Sequence, residues 1–245
     1  MNVRALALDF GDTLAAPGPD PDGHTVLAVL RRRPDTHVPD AFVAAYDHVH
    51  RVTRAGDRVH DTHTPFADEL RHAAELCGAD IPDPDAVAEA VFEDIPDSRV
   101  MPRAAQALLR IRERDPGLTC VLACDTQRPE PVRRRTLAEA GIAACFDAVV
   151  LSCAIGLRKP HPGFYAEVER RCAVAREEIL FVGNTPGKDA TGPHVYGMRA
   201  VLIAPAGRPD GLHEQIGVID HFADLPAHLE RLAHLERVEP PARRT

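Results

Sequence analysis

The stretch VRALALDFGDTL, residues 3–14, holds an apolar run that ends on a carboxylate, Asp9, with a second, Asp12, just beyond Phe10 and Gly11. Residues 3–9 predict a buried strand of a parallel sheet. Ligands of an open parallel sheet collect beyond the carboxyl ends of its strands. An acidic pair in that place suggests phosphoryl chemistry. The spacing is unusual, because the second acid stands three residues after the first with glycine between.

A loop rich in Pro and Gly, APGPDPDG at 16–23, leads into a helical pattern that reaches about residue 98. Within it Phe42, Tyr46, Val49 and Val52 repeat at helix spacing and are expected on one face. Thr64-Pro65 marks a helix opening with Pro65 at its first position, and Pro82 and Pro84 precede a helix over 85–94. After Pro102 the pattern alternates. Helices are predicted over 103–114, 131–140, 162–173 and 225–236. Strands are predicted over 118–125, 146–152, 178–184 and 199–204, with a shorter one over 217–222. The order predicts an α/β fold, a doubly wound parallel sheet with a Rossmann-like core. The all-helical segment 17–98 reads as an inserted lid over a core built from 1–16 and 99–240, and 241–245 as a frayed tail.

A formal net charge of -8 argues against a nucleic-acid backbone as partner. The tracts Arg31–Arg33 and Arg133–Arg135 read as solvated faces. No apolar stretch has the length of a membrane span, and the amino terminus runs into a strand without a signal-peptide pattern, so a cytoplasmic protein is expected. Six cysteines without paired ligand spacing read as buried thiols of a reducing compartment.

Asp9, Cys124-Asp125, Lys159 and Gly183-Asn184 all fall at or just beyond predicted strand ends or in the loops that follow them. Lys159 is one of two lysines in a chain rich in arginine; the other is Lys188. A compact ammonium near Asp9 would neutralise both a nucleophile and a transferring phosphoryl group. Lys188, in a loop with glycine, reads as solvated. The histidines His48, His50, His60, His63 and His72 lack the companions of a zinc site and read as solvated or substrate-facing.

DFGDTL, LACDT, GLRKPHPGFY and FVGNTPGKDATGPHVYGM resemble, in order and spacing, the four motifs of the haloacid dehalogenase-like hydrolase superfamily. The resemblance runs over essentially the whole chain, with 17–98 in the place of that family's helical cap. It implies that Asp9 attacks phosphorus and becomes an aspartyl phosphate, and that Lys159 is the lysine of the third motif. It also implies that Thr13, Cys124, Asp125 and Thr126 surround the phosphate. Mg2+ would be held by Asp9, the Gly11 carbonyl, Asn184 and Asp189.

Three departures bear on the chemistry. The family's phosphatases carry an acid two residues after the nucleophile, then glycine; here the order is Gly11-Asp12. Glycine offers a carbonyl to a metal but no proton to a leaving group, and Asp12 could serve only if the turn redirects it. Cys124 replaces a hydroxyl with a weaker donor, with Thr126 as the fallback in a shifted register. Asn184 keeps an oxygen ligand and removes a charge. Loss of a general acid costs about 10²–10⁴-fold in rate, which favours activated leaving groups.

The leading expectation is a magnesium-dependent phosphatase or phosphotransferase acting on a small phosphorylated metabolite. The alternatives are carbon–halogen hydrolysis, whose leaving group needs no proton, and a catalytically impaired protein that binds a ligand or partner. Residues 17–98 contain no lysine, which excludes a Schiff-base mechanism in the lid. Substrate identity and oligomeric state are left open by the sequence.

Overall fold

The computed structural model describes residues 3–238. The chain runs β1 (Ala5–Leu8), β2 (Ala15–Ala16), then four helices, α1 (Gly23–Arg31), α2 (Phe42–His60), α3 (Phe66–Cys77) and α4 (Pro84–Asp94). It continues with β3 (Arg99–Val100), α5 (Pro102–Arg114), β4 (Thr119–Cys124), α6 (Glu130–Glu139), β5 (Ala148–Leu151), α7 (Ser152–Ile155) and α8 (Pro162–Cys172). Last come β6 (Ile179–Gly183), α9 (Gly192–Tyr196), β7 (Arg199–Ile203), β8 (Gly217–Ile219) and α10 (Leu225–Val238). The expected tail at 241–245 and the end of the expected core, 239–240, lie outside the described residues.

Six strands form one parallel sheet in the order β5-β4-β1-β6-β7-β8. β1 pairs with β4 on one side and β6 on the other, with Leu8 level with Leu122 and with Val182. Chain order therefore reverses about β1, and Asp9 leaves the sheet at that switch point. The alternation along β1 serves two layers. Leu6 and Leu8 join Leu108, Ile111, Leu137, Phe222 and Leu225 on one face. Ala5 and Ala7, small on the other face, leave room for Phe164, Tyr165 and Phe181. Burial on both faces is why these strands read as continuous apolar runs.

Helices α1–α4 share a second hydrophobic cluster, built on Val26, Leu30, Phe42, Tyr46, Phe66, Leu70, Val91 and Phe92 and joined by Val132 of α6. Side chains cap the starts of two of these helices: Asp22 accepts from the Thr25 amide at α1 and Asp83 from the Ala86 amide at α4. Pro65 is the residue before α3 rather than its first helical residue. Val52 does not join the buried face and is half exposed. At 3.6 residues per turn it sits about 80° round the helix from Phe42, because successive three-residue steps drift backward; the polar Asp57 is buried instead. The chain crosses between the two clusters beside a short ribbon in which Ala15 and Ala16 pair with Val100 and Arg99. Arg128 ties the crossings together: its guanidinium donates to the Pro19 carbonyl (2.8 Å) and pairs with Asp97 (2.6 Å). No helix among the described residues is long and apolar enough to cross a membrane.

Candidate active site

The register brings distant residues to the end of β1. Lys159, in the loop before α8, is buried (1% exposed), and its Nζ stands 2.6 Å from Asp9 Oδ1, 2.7 Å from Asp189 Oδ1 and 3.2 Å from the Ala123 carbonyl. One ammonium thus serves two carboxylates. Burial alone would lower its pKa, but Asp189, Asp9 and Asp125 outweigh burial and hold it charged, well above the ordinary lysine range. Burial raises the Asp9 carboxyl, Lys159 opposes the rise and Asp189 adds to it, leaving a pKa of about 6. Asp189 approaches this closely because β6 ends in Gly183, where a Cβ would collide with its carboxyl group. The second oxygen of Asp189 accepts from the Thr185 amide at 2.8 Å. The Thr13 hydroxyl lies within donating reach of Asp9 Oδ2 (3.2 Å) and Asn184 Oδ1 (3.4 Å).

Asp125 accepts from the Lys159 amide at 3.0 Å and from Lys188 Nζ at 2.9 Å. Burial would raise it, yet Lys159 and Lys188 bring it below the ordinary carboxylate range. Lys188 is therefore not the solvated residue expected; both lysines of the chain reach Asp125. Their rarity was a usable signal. Cys124 closes β4 beside this group, and burial pushes its thiol up to about 12, so it is a neutral, weak donor. The Thr126 hydroxyl is turned to the Arg128 amide (3.1 Å) and the Arg133 guanidinium (3.5 Å) rather than to the Asp9 group. Arg133 departs from the solvated reading of its tract: it is buried, lies over the Phe10 ring at 3.9 Å and pairs with Asp97. Among the histidines, His63 is buried, with Nδ1 2.8 Å from Ser152 Oγ. Cys77 and Cys153 are half-buried, and all six thiols are free.

The Asp12 side chain takes no part in the Asp9–Lys159–Asp189 contacts among the described residues. Its φ of 53° is left-handed, its side chain is exposed, and it lines a cleft of about 410 Å³ with Thr13, Asn184, Pro186 and residues 202–207. Gly11 stands two residues past Asp9 in the turn, and a Cβ added there would meet no atom within 4 Å. Grooves of about 570 and 620 Å³ open at the amino-terminal ends of the strands, beside Leu118 and Arg199, so volume does not locate the chemistry.

No set of three His, Cys, Asp or Glu side chains among the described residues is spaced for a metal ion. The expected magnesium ligands instead combine carboxylate, amide and main-chain oxygens. Such a set fits Mg2+, which keeps waters and takes one or two carboxylates plus phosphate. Asp189 fits it least as a direct ligand, since both of its oxygens are engaged.

The family model for haloacid dehalogenase-like hydrolases matches residues 3–195, and the chain belongs to that family of enzymes. It is 33% identical over 211 residues to a phosphoserine phosphatase of Thermus thermophilus, a match spanning 86% of this chain and 76% of the relative. It is 31% identical over 110 residues to a phosphoglycolate phosphatase of Cereibacter sphaeroides, spanning 44% and 49%. The solved structure of a 2-haloacid dehalogenase from Pseudomonas syringae pv. Tomato DC3000 shares the fold, with a TM-score of 0.65 at 22% identity over 94% of this chain and 99% of that one.

Proposed function

We propose that this enzyme is a magnesium-dependent phosphatase of small phosphorylated metabolites, working through an aspartyl phosphate on Asp9. One observation carries the reading: the Asp9 carboxylate stands at the switch point of the sheet, 2.6 Å from the buried Lys159 ammonium. The phosphatase names of the relatives support the substrate class. Residues 17–98 act as a cap over the core of 1–16 and 99–240.

The Asp9 carboxylate attacks phosphorus, and the ester oxygen leaves with its bonding pair. Water then displaces Asp9 from phosphorus and frees inorganic phosphate. Lys159 balances the charge of Asp9 while the phosphoryl group is on it, and Asp189 keeps that ammonium in place. Thr13 orients Asp9 Oδ2, and Lys188 balances Asp125 so that an anion can approach. Mg2+ held by Asp9, the Gly11 carbonyl and Asn184 would supply further positive charge to the phosphoryl oxygens. Position 11 has no acid, so the leaving oxygen departs without a proton from that residue and activated leaving groups are favoured. Free thiols and a metabolite substrate fit a cytoplasmic setting.

Carbon–halogen hydrolysis is the second reading. It is favoured by the ligand set, in which both Asp189 oxygens are already engaged, one by Lys159 and one by the Thr185 amide. Purified protein should hydrolyse 4-nitrophenyl phosphate with Mg2+ and lose that activity in EDTA. Chloride release from 2-chloropropionate in EDTA, with no phosphate release under either condition, would select the second reading.

A further inference from the structure

A second buried polar cluster lies where α2 and α3 meet the loop after β4. Glu69 of α3 is 0% exposed; its carboxylate accepts from Gln127 Nε2 at 2.8 Å and faces His50 Nδ1 at 2.8 Å. An ionised carboxylate only accepts, so Gln127 must turn its amide nitrogen to Glu69. Its Oε1 is then buried with no protein donor. Tyr46 Oη is likewise buried and unpartnered, on a ring stacked against His50 with 5.7 Å between centroids.

The cluster is linked to the catalytic group along the loop after β4. Gln127 lies two residues past Asp125. Its neighbour Thr126 meets Arg133, which covers Phe10 beside Asp9. A buried carboxylate needs a compensating charge, and an unpaired buried oxygen is costly. Glu69 has for partners a neutral amide and an imidazole that is charged only when protonated. Two of the three residues offer acceptor oxygens only, and Tyr46 Oη can accept as well. A ligand group with several N–H donors and a positive charge answers all of them at once.

We infer that Glu69, Gln127 and Tyr46 form the subsite for the substrate's leaving group, and that it selects a leaving group ending in a primary ammonium. The inference rests on the phosphatase reading for the phosphate end of the ligand alone. Binding separates the two, measured by titration calorimetry on the Asp9→Asn protein with Mg2+. The probes are O-phosphoethanolamine, propyl phosphate and 2-hydroxyethyl phosphate.

Phosphoethanolamine should bind at least about tenfold more tightly than either neutral analogue, the effect of one charged hydrogen bond. Glu69→Gln should reduce that preference to within about twofold. Tyr46→Phe removes an oxygen with no protein partner, so the fold should be kept, and the preference should drop several-fold. Equal affinity for phosphoethanolamine and propyl phosphate overturns the subsite, and so does equal affinity for the hydroxyl analogue. If the unsubstituted protein still turns over 4-nitrophenyl phosphate, the phosphatase reading survives that failure. An ammonium preference without any phosphate turnover supports the subsite and removes the phosphatase reading.

Discussion

Gly11 and Asp12 are interchanged relative to what their backbone asks for. Gly11 does not use the left-handed region and has open space where a side chain would go; Asp12 does use it, at φ 53°. An L residue pays about 1 kcal/mol or more there, aspartate less than most. The exchange Gly11→Asp with Asp12→Gly therefore puts a carboxyl group into free space and glycine where the turn needs it. Glycine number is unchanged, so the entropy of the unfolded chain largely cancels. Hydrolysis of alkyl phosphates should rise by up to about 10²-fold relative to aryl phosphates, with the melting temperature held or raised. Equal changes for both substrates, in a folded variant, would mean that leaving-group protonation was not limiting. The sequence exposed this anomaly because the acid pair is local. It could not say which acid faces the site, since that depends on φ at residue 12 rather than on spacing.

The loop after β4 sends four consecutive residues in four directions: Asp125 to the two lysines, Thr126 to Ser152, Gln127 to Glu69, and Arg128 to the crossings. Ser152 in turn holds His63, whose pKa is pushed down to about 4 by burial, with Arg54 adding to it. Folded His63 thus binds its proton later than the unfolded residue, whose pKa is about 6.5. Between those values the unfolded chain holds more protons, so stability is lost as pH falls from about 6.5 to about 4, by up to about 3 kcal/mol. Urea unfolding at pH 7 and pH 4.5 should show a loss in the native protein that His63→Gln lacks; the same loss in both would remove His63 as its source. The strands and helices expected after residue 102 match to within two or three residues, because burial on both faces writes apolar runs such as 118–125 for Thr119–Cys124. For α1, α2 and α3 the sequence offers only a helical pattern without both bounds. The two-residue strands β2 and β3 are too short to carry a period. Glu69 and Gln127 are 58 residues apart, and no local pattern announces their contact.

Two chain crossings and the Arg128 guanidinium join the two hydrophobic clusters, together with side-chain contacts such as Gln127–Glu69, Ser152–His63 and Arg135–Glu93. Arg128→Ala would leave Asp97 paired with Arg133 and Thr136, so its cost should stay below the roughly 3–5 kcal/mol of an uncompensated buried charge. Amide exchange should quicken along 16–22 and 95–99 while β1 and β6 stay protected; a uniform increase would mean that Arg128 supports the whole fold rather than the crossings. The activity assigned to the assembled molecule depends on Asp9 carrying the phosphoryl group. Rapid quenching of the enzyme during turnover of 4-nitrophenyl phosphate with Mg2+, followed by peptide mass analysis, reads that directly. Expected is a phosphate on the peptide containing Asp9, absent in EDTA and absent from Asp9→Asn, which should also be inactive. Steady turnover with no phosphate on that peptide, undiminished in Asp9→Asn, would contradict the assignment.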